Sequence, residues 1–140
     1  MITKKELHHL DSKYFPYPWS NNAWDEIEVA IYPTLGRYQV FTKESNHQLI
    51  GYALFLVEDD TASLLKIIVI PHFRRKGIAR DLLWQATRYL NLNIYLEVDT
   101  NNLAAISLYE HLGFVKINHI SKFYSMGHDA TIYLLKNYNK

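Results

Sequence analysis

Three stretches of this sequence combine residue types and spacings that could do chemistry. The first is Val69-Ile70-Pro71-His72-Phe73-Arg74-Arg75-Lys76-Gly77-Ile78-Ala79-Arg80. An apolar run stops at a proline, a basic turn follows, and a helical pattern opens at a glycine. A helix N-terminus carries unpaired N–H groups and partial positive charge, which is enough to hold a phosphate. Gly77 lets a ligand reach the backbone and Ala79 keeps the wall low. Arg74, Arg75, Lys76 and Arg80 add positive charge at the same place, and Ile78 begins the helix. The bland alternative is a solvated basic turn, and the apolar strand with its Pro71 stop argues for the anion site. A Walker loop is excluded because no G-x-x-x-x-G-K-[ST] occurs. A dinucleotide fingerprint is excluded because its further glycines are missing.

The second stretch, Ile94-Tyr95-Leu96-Glu97-Val98, carries an acid among apolar residues. A buried carboxylate is costly unless it is solvated, paired or used. Strand alternation sets Tyr95, Glu97 and Asp99 opposite Ile94, Leu96 and Val98. Two readings stay open: Glu97 is a general base lining a cleft, or it sits at a wet strand end or beside an arginine. The third stretch runs from Asp99 to Phe114. Asn101 or Asn102 caps a helix there, and Tyr109 is spaced to contact Ile106 and Leu112. On spacing alone Tyr109 is a core aromatic.

The elements that must position these residues follow from hydrophobic periodicity. Residues 3–13 read as a helix. The Phe15-Pro16-Tyr17-Pro18-Trp19 segment must be extended, because each proline pushes its predecessor out of helical geometry. A second helix, capped by Ser20 or Asn21, is expected to run to about Tyr32. Strands are expected over 37–43, 49–58 and 62–70, with turns at 46–48 and 59–60. The third of these lacks polar alternation, so it should be central and covered on both faces. A helix over 77–90, a strand over 93–99, a helix over 102–112 ended by Gly113, and strands near 114–119 and 131–135 complete the order. The middle strand–helix–strand crossover should set Val69 and Val98 on parallel neighbours. The class is α/β (α+β), a mixed central sheet of about six or seven strands with about four helices, in a single domain over residues 1–140.

Composition limits the function. The 140 residues include no cysteine, which removes disulfides, thiolate metal sites and cysteine nucleophiles. Fifteen basic against 14 acidic residues give a formal charge of +1, not the basic stripe of a nucleic-acid binder. No apolar run spans a membrane, and the first residues lack the core of a signal peptide. The expectation is a cytoplasmic protein, monomeric or a small homo-oligomer. His8-His9, His72 and His111 lack metal-ligand spacing, so no metal is expected. His128-Asp129 is a bare neighbour pair, not a triad.

The first stretch resembles the [Q/R]-x-x-G-x-[G/A] signature of the GNAT N-acetyltransferases, filled by Arg74, Gly77 and Ala79. The third closely resembles that family's N-x-x-A-[I]-x-L-Y-x-x-L-G-F segment. Within the family it is most similar to the RimI-type ribosomal-protein-alanine N-acetyltransferases. Leu96-Glu97-Val98, Phe-Pro-Tyr-Pro-Trp-Ser and Phe123-Tyr124 followed by Asp129-Ala130 carry the same likeness. The resemblance covers most of the chain, and it implies a GNAT-like fold and transfer of acetyl from acetyl-CoA to a primary amine. It implies that turn amides hold the coenzyme pyrophosphate, that Ile67, Ile68 and Val69 pair with the pantetheine arm, and that Asn102 contacts the coenzyme. It makes Glu97 the general base and Tyr109 the general acid. Trp19, Phe123 and Tyr124 are candidates for the acceptor channel, with core packing the alternative for each.

The implied acceptor is a protein N-terminus, such as a ribosomal-protein alanine. An α-amine, with a pKa of roughly 7.7–8.0, needs about 1 kcal/mol to deprotonate at pH 7, against roughly 4–5 for lysine. A small amine is the alternative within acyl transfer. A coenzyme-binding module without turnover is the alternative outside it. Two departures bear on the acceptor. Asp99 stands where relatives can carry a basic residue, and the stretch over 125–128 is short.

Overall fold

The structure, a computed structural model, describes residues 1–137. Helix α1 (Lys4–Tyr14) starts at Thr3, whose hydroxyl accepts from the Glu6 amide while Glu6 accepts from the Thr3 amide, a reciprocal cap. It buries Leu7 and Leu10 and ends where Pro16 holds Phe15 extended. Helix α2 (Asn21–Glu26) is capped by Ser20 through the Ala23 amide. The longer helix expected to reach Tyr32 does not form. Residues Val29–Ile31 are instead a short strand, β1, parallel to β2 (Tyr38–Ser45). Trp24, Ile27 and Ile31 satisfy helical spacing, but the branched side chains of Ile27, Val29 and Ile31 also alternate and favour a strand once a partner edge is available.

The expected hairpins are present. Asn46 and His47 both have positive φ in the two-residue turn between β2 and β3 (Gln48–Glu58), which suits the strands' right-handed twist. Strand β4 (Thr61–Val69) returns antiparallel to β3. A short 3-10 turn (Pro71–Phe73) leads to α3 (Ile78–Leu90), then β5 (Asn93–Asp99), α4 (Leu103–His111), β6 (Val115–Ile120) and β7 (Ala130–Leu135). The seven strands form one mixed sheet in the order β1-β2-β3-β4-β5-β7-β6, with β4 fourth of seven.

Alternation along β2 and β3 builds a core on each face. Phe41, Ala53 and Phe55 pack with Leu82, Leu83 and Ala86 of α3. Val40, Tyr52 and Leu54 pack with Leu7 and Leu10 of α1 and Trp24 of α2. This sheet fixes where β4 and β5 lie, and the site depends on how those two strands part.

Candidate active site

Strands β4 and β5 pair in parallel only from Thr61↔Asn93 to Leu64↔Leu96. The break coincides with a bulge. Leu54 faces Lys66 while Phe55 faces Leu64, so Leu65 is the extra residue of β4. A bulge bends its strand and changes the phase of its side chains. Leu64 packs into the α3 core, whereas Leu65 turns to the α1 core. Beyond the bulge, residues 67–69 and 97–99 have no ladder bonds to one another. Val69 and Val98 thus lie on parallel neighbours, as expected, but on diverging ends.

The divergence opens a cleft of about 710 Å³, inside the roughly 300–1,000 Å³ range of small-molecule sites. Ile67, Ile68 and Val69 form one wall, and Glu97, Val98 and Asp99 the other. At the head of the cleft lies the α3 N-terminus. Gly77, at φ 78°, is its cap and gives no side-chain hydrogen bond, so the first amides of the helix stay unpaired. A side chain on Gly77 would be strained at this left-handed φ, whereas its near neighbour, the tip of Arg80 at 2.9 Å, could move aside. Arg75, Gly77, Ile78, Ala79 and Arg80 line the cleft. Arg74 lines it too, while its Nε donates to the Val69 carbonyl at 2.9 Å and ties the turn to the end of β4. Lys76 does not line it; its ammonium lies over the Phe73 ring. Unpaired amides, a glycine at a left-handed φ, and nearby arginines suit a pyrophosphate.

Glu97 is exposed and borders the cleft, so the wet-strand-end environment and the cleft location hold together. Tyr109 is 5% exposed, lines the cleft, and packs against Phe114 and Tyr133. It is both a core aromatic and a cleft residue. Burial, and then Tyr124, push its hydroxyl above the ordinary tyrosine range, which keeps it protonated. Asn102 caps α4 through the Ala105 amide and lines the cleft, so one residue serves both functions.

The structure also corrects and extends the acceptor side. Tyr124 borders the cleft, and its hydroxyl is pushed up to about 12 by burial, then by Glu97. Trp19 and Phe123 do not border it. Trp19 packs on Trp24, and Phe123 stands edge-on to Tyr124. Their aromatic character is used to hold neighbours in place. Tyr14, Phe15 and Tyr17 do line the cleft, though sequence patterning did not single them out. Asp99 is no free acid. It accepts hydrogen bonds from Tyr17, His128 and the Asn101 amide. Among the described residues no three His, Cys, Asp or Glu side chains converge as a metal site, and no helix is long and apolar enough to cross a membrane.

The family model "Acetyltransferase (GNAT) family" matches residues 4–114. The chain belongs to the GNAT acetyltransferase family. It is 32% identical over 111 residues to the ribosomal protein bS18 alanine N-acetyltransferase of Escherichia coli K12, covering 76% of this chain and 71% of the relative. The enzyme of the same name from Salmonella typhimurium is 30% identical over 130 residues, 88% of this chain and 83% of the relative. The crystal structure of the E. coli ribosomal-protein-S18-alanine N-acetyltransferase superposes with a TM-score of 0.83 at 29% identity, over 96% of this chain and 87% of that one. The mixed sheet parted at β4 and β5 is thus a GNAT fold, and this chain is an acetyltransferase.

Proposed function

We propose that this GNAT enzyme acetylates the N-terminal α-amine of a protein, in the manner of a ribosomal-protein alanine acetyltransferase, using acetyl-CoA. The observation that carries this is a single cleft with Glu97 and Tyr109 on its walls and the unpaired α3 amides at its head. The similarity to the bS18 alanine enzymes supports the acceptor class.

The residues divide the work. Amides of residues 77–80, with Arg75 and Arg80, hold the pyrophosphate. Residues 67–69, free of β5, pair with the pantetheine arm, and Asn102 adds a contact. Bound acetyl-CoA supplies the thioester carbonyl. Glu97, acting through water, takes the proton that the attacking amine must lose. Tyr109 offers its hydrogen to the departing sulfur. Thiol and ordinary tyrosine differ by roughly 2 kcal/mol in acidity, and the burial of Tyr109 widens that gap. Its contribution is therefore a hydrogen bond to developing charge more than complete transfer. The same reading sets the enzyme in the cytoplasm, where new ribosomal proteins are made, as a monomer or small homo-oligomer.

The test is thiol release with peptides beginning Ala-Arg against free polyamines and amino acids. Preferred turnover of the peptide is expected. Turnover of free amines alone would overturn the acceptor class, and tight coenzyme binding with no turnover of any amine would overturn catalysis.

A further inference from the structure

The acceptor end of the cleft holds a cluster whose members are far apart in sequence. Asp99 is the last residue of β5. Its Oδ2 accepts from the Tyr17 hydroxyl at 2.6 Å and from His128 Nδ1 at 2.7 Å, and its Oδ1 accepts from the Asn101 amide at 2.9 Å. Tyr17 belongs to the α1–α2 loop and His128 to the β6–β7 loop, and their polar atoms lie 3.2 Å apart. The Tyr17 ring stacks on Tyr124 with centroids 4.1 Å apart and planes inclined by 13°. Tyr124 and His128 close a tight turn: the Tyr124 amide donates to the His128 carbonyl, and the Gly127 amide to the Tyr124 carbonyl. The carboxylate side chain is only 14% exposed, so water competes weakly for these charge-assisted bonds.

We propose that Asp99 is a positioning residue that clasps the α1–α2 and β6–β7 loops together and so sets the acceptor's fit, leaving the coenzyme's fit alone. The proposal rests on the N-terminal acetyltransferase reading for what the loops receive. None of the clasp's hydrogen bonds involves a residue of the α3 N-terminus. Tyr17, Tyr124 and Asp99 border the cleft, while His128 does not. The stacked tyrosines therefore form a wall beside Glu97 whose place depends on the clasp. Three protein donors take most of the Asp99 carboxylate's accepting sites, so its lone pairs are largely engaged within the protein. Its occurrence beside the short 125–128 stretch follows from the same geometry: a compact turn brings the His128 imidazole down onto the carboxylate.

His128→Ala is the informative variant, because it leaves the cleft lining intact. Acceptor KM and coenzyme Kd are to be measured for Asp99→Asn, His128→Ala and the double variant, with an Ala-Arg peptide. Loss of charge-assisted hydrogen bonds should raise acceptor KM roughly tenfold for Asp99→Asn, and several-fold for His128→Ala, with coenzyme Kd unchanged. The double variant should be no worse than Asp99→Asn, because both act on one device. An unchanged KM in His128→Ala, or effects that multiply, would overturn the clasp. Hydrogen exchange without substrate gives a second readout: the Tyr124 and Gly127 amides, which close the β6–β7 turn, should lose protection in Asp99→Asn, while those over 82–86 keep theirs. Retained protection at both turn amides would overturn the clasp even if no peptide is turned over, an outcome that would by itself count only against the acceptor assignment.

Discussion

At the scale of single residues, the two side chains proposed to handle protons sit in opposite environments. Tyr109 is nearly sealed and its hydroxyl stays protonated. Glu97 is open to water and can pass a proton to solvent. Tyr109→Phe should lower kcat by about a hundredfold with coenzyme binding retained, read by steady-state kinetics and coenzyme titration. Glu97→Gln should leave the melting temperature nearly unchanged, because surface substitutions usually fall within about 0.5 kcal/mol. Its rate deficit should be largest near pH 7 and shrink above about pH 8, where an α-amine is already neutral. A deficit independent of pH would count against Glu97 as the base. Asp99 makes a separate prediction. The Tyr17 hydrogen bond, ahead of the Asn101 and His128 bonds, holds its carboxyl below the ordinary aspartate range. A carboxyl depressed in the folded state stabilises the fold above its unfolded pKa of about 3.9, and that stability is lost as pH falls through the folded value. Asp99→Asn should therefore lower the neutral plateau of a stability–pH curve and flatten its acid limb, the difference from wild type vanishing as pH falls through the folded value. Of these residues, the place of Glu97, Tyr109 and Asn102 in the cleft was legible because they lie in one local run with a family pattern. The clasp was not, because Tyr17, Asp99 and His128 are separated by 82 and 29 residues and meet only through tertiary packing.

At the scale of elements, the sequence was most legible where local chemistry fixes geometry: the Ser20 cap, the Asn46-His47 turn, the extended proline segment from Phe15 and the Gly77 helix start. It was misleading over residues 27–31, where one spacing suits a helix and one set of branched residues suits a strand, and only the neighbouring β2 edge decides. The apolar reading of β4 also concealed its most consequential residue. Lys66 is 1% exposed, with its ammonium 2.8 Å from Asp11 Oδ1 and over the rings of Phe15 and Trp19. Burial pushes its ammonium below the ordinary lysine range, against the pull of Asp11. Asp11 also accepts from the Trp19 amide and Trp24 Nε1, so the pair locks α1, the proline-rich loop and α2 onto β4. The bulge at Leu65 is what turns Lys66 toward α1. Removing one member of a buried pair typically costs about 3–5 kcal/mol, whereas replacing both by apolar groups is often close to neutral. Asp11→Leu should therefore melt far below the wild type, and adding Lys66→Met should restore much of the loss; a double variant as unstable as the single would show that the pair's bonds to the loop, rather than charge compensation, dominate.

At the scale of the whole molecule, one sheet does two jobs. Its first half, from β1 to β4, is continuous and carries the helices that hold the proline-rich loop. Its second half, from β5 to β6, leaves the first half after Leu64↔Leu96, and the gap between them is the cleft. A ligand that fills the gap bridges two halves that are otherwise joined by few ladder bonds, and it binds only the folded chain. Such a ligand stabilises by about 2.7 kcal/mol at a hundred times its Kd. For a chain of 140 residues, at roughly 3 °C per kcal/mol, that amounts to a rise of about 8 °C in Tm. Coenzyme A at saturation should produce a rise of that order, and an acceptor peptide alone should produce much less. Because Arg75 and Arg80 frame the α3 amides, the rise should shrink with added salt as their charges are screened. Gly77→Ala should reduce it, since a side chain is strained at φ 78° and relieving that strain shifts the turn that presents the amides. A full, salt-independent shift in Gly77→Ala would mean that the ligand enters the gap without using the helix terminus, and the division of the cleft into a coenzyme head and an acceptor end would have to be redrawn.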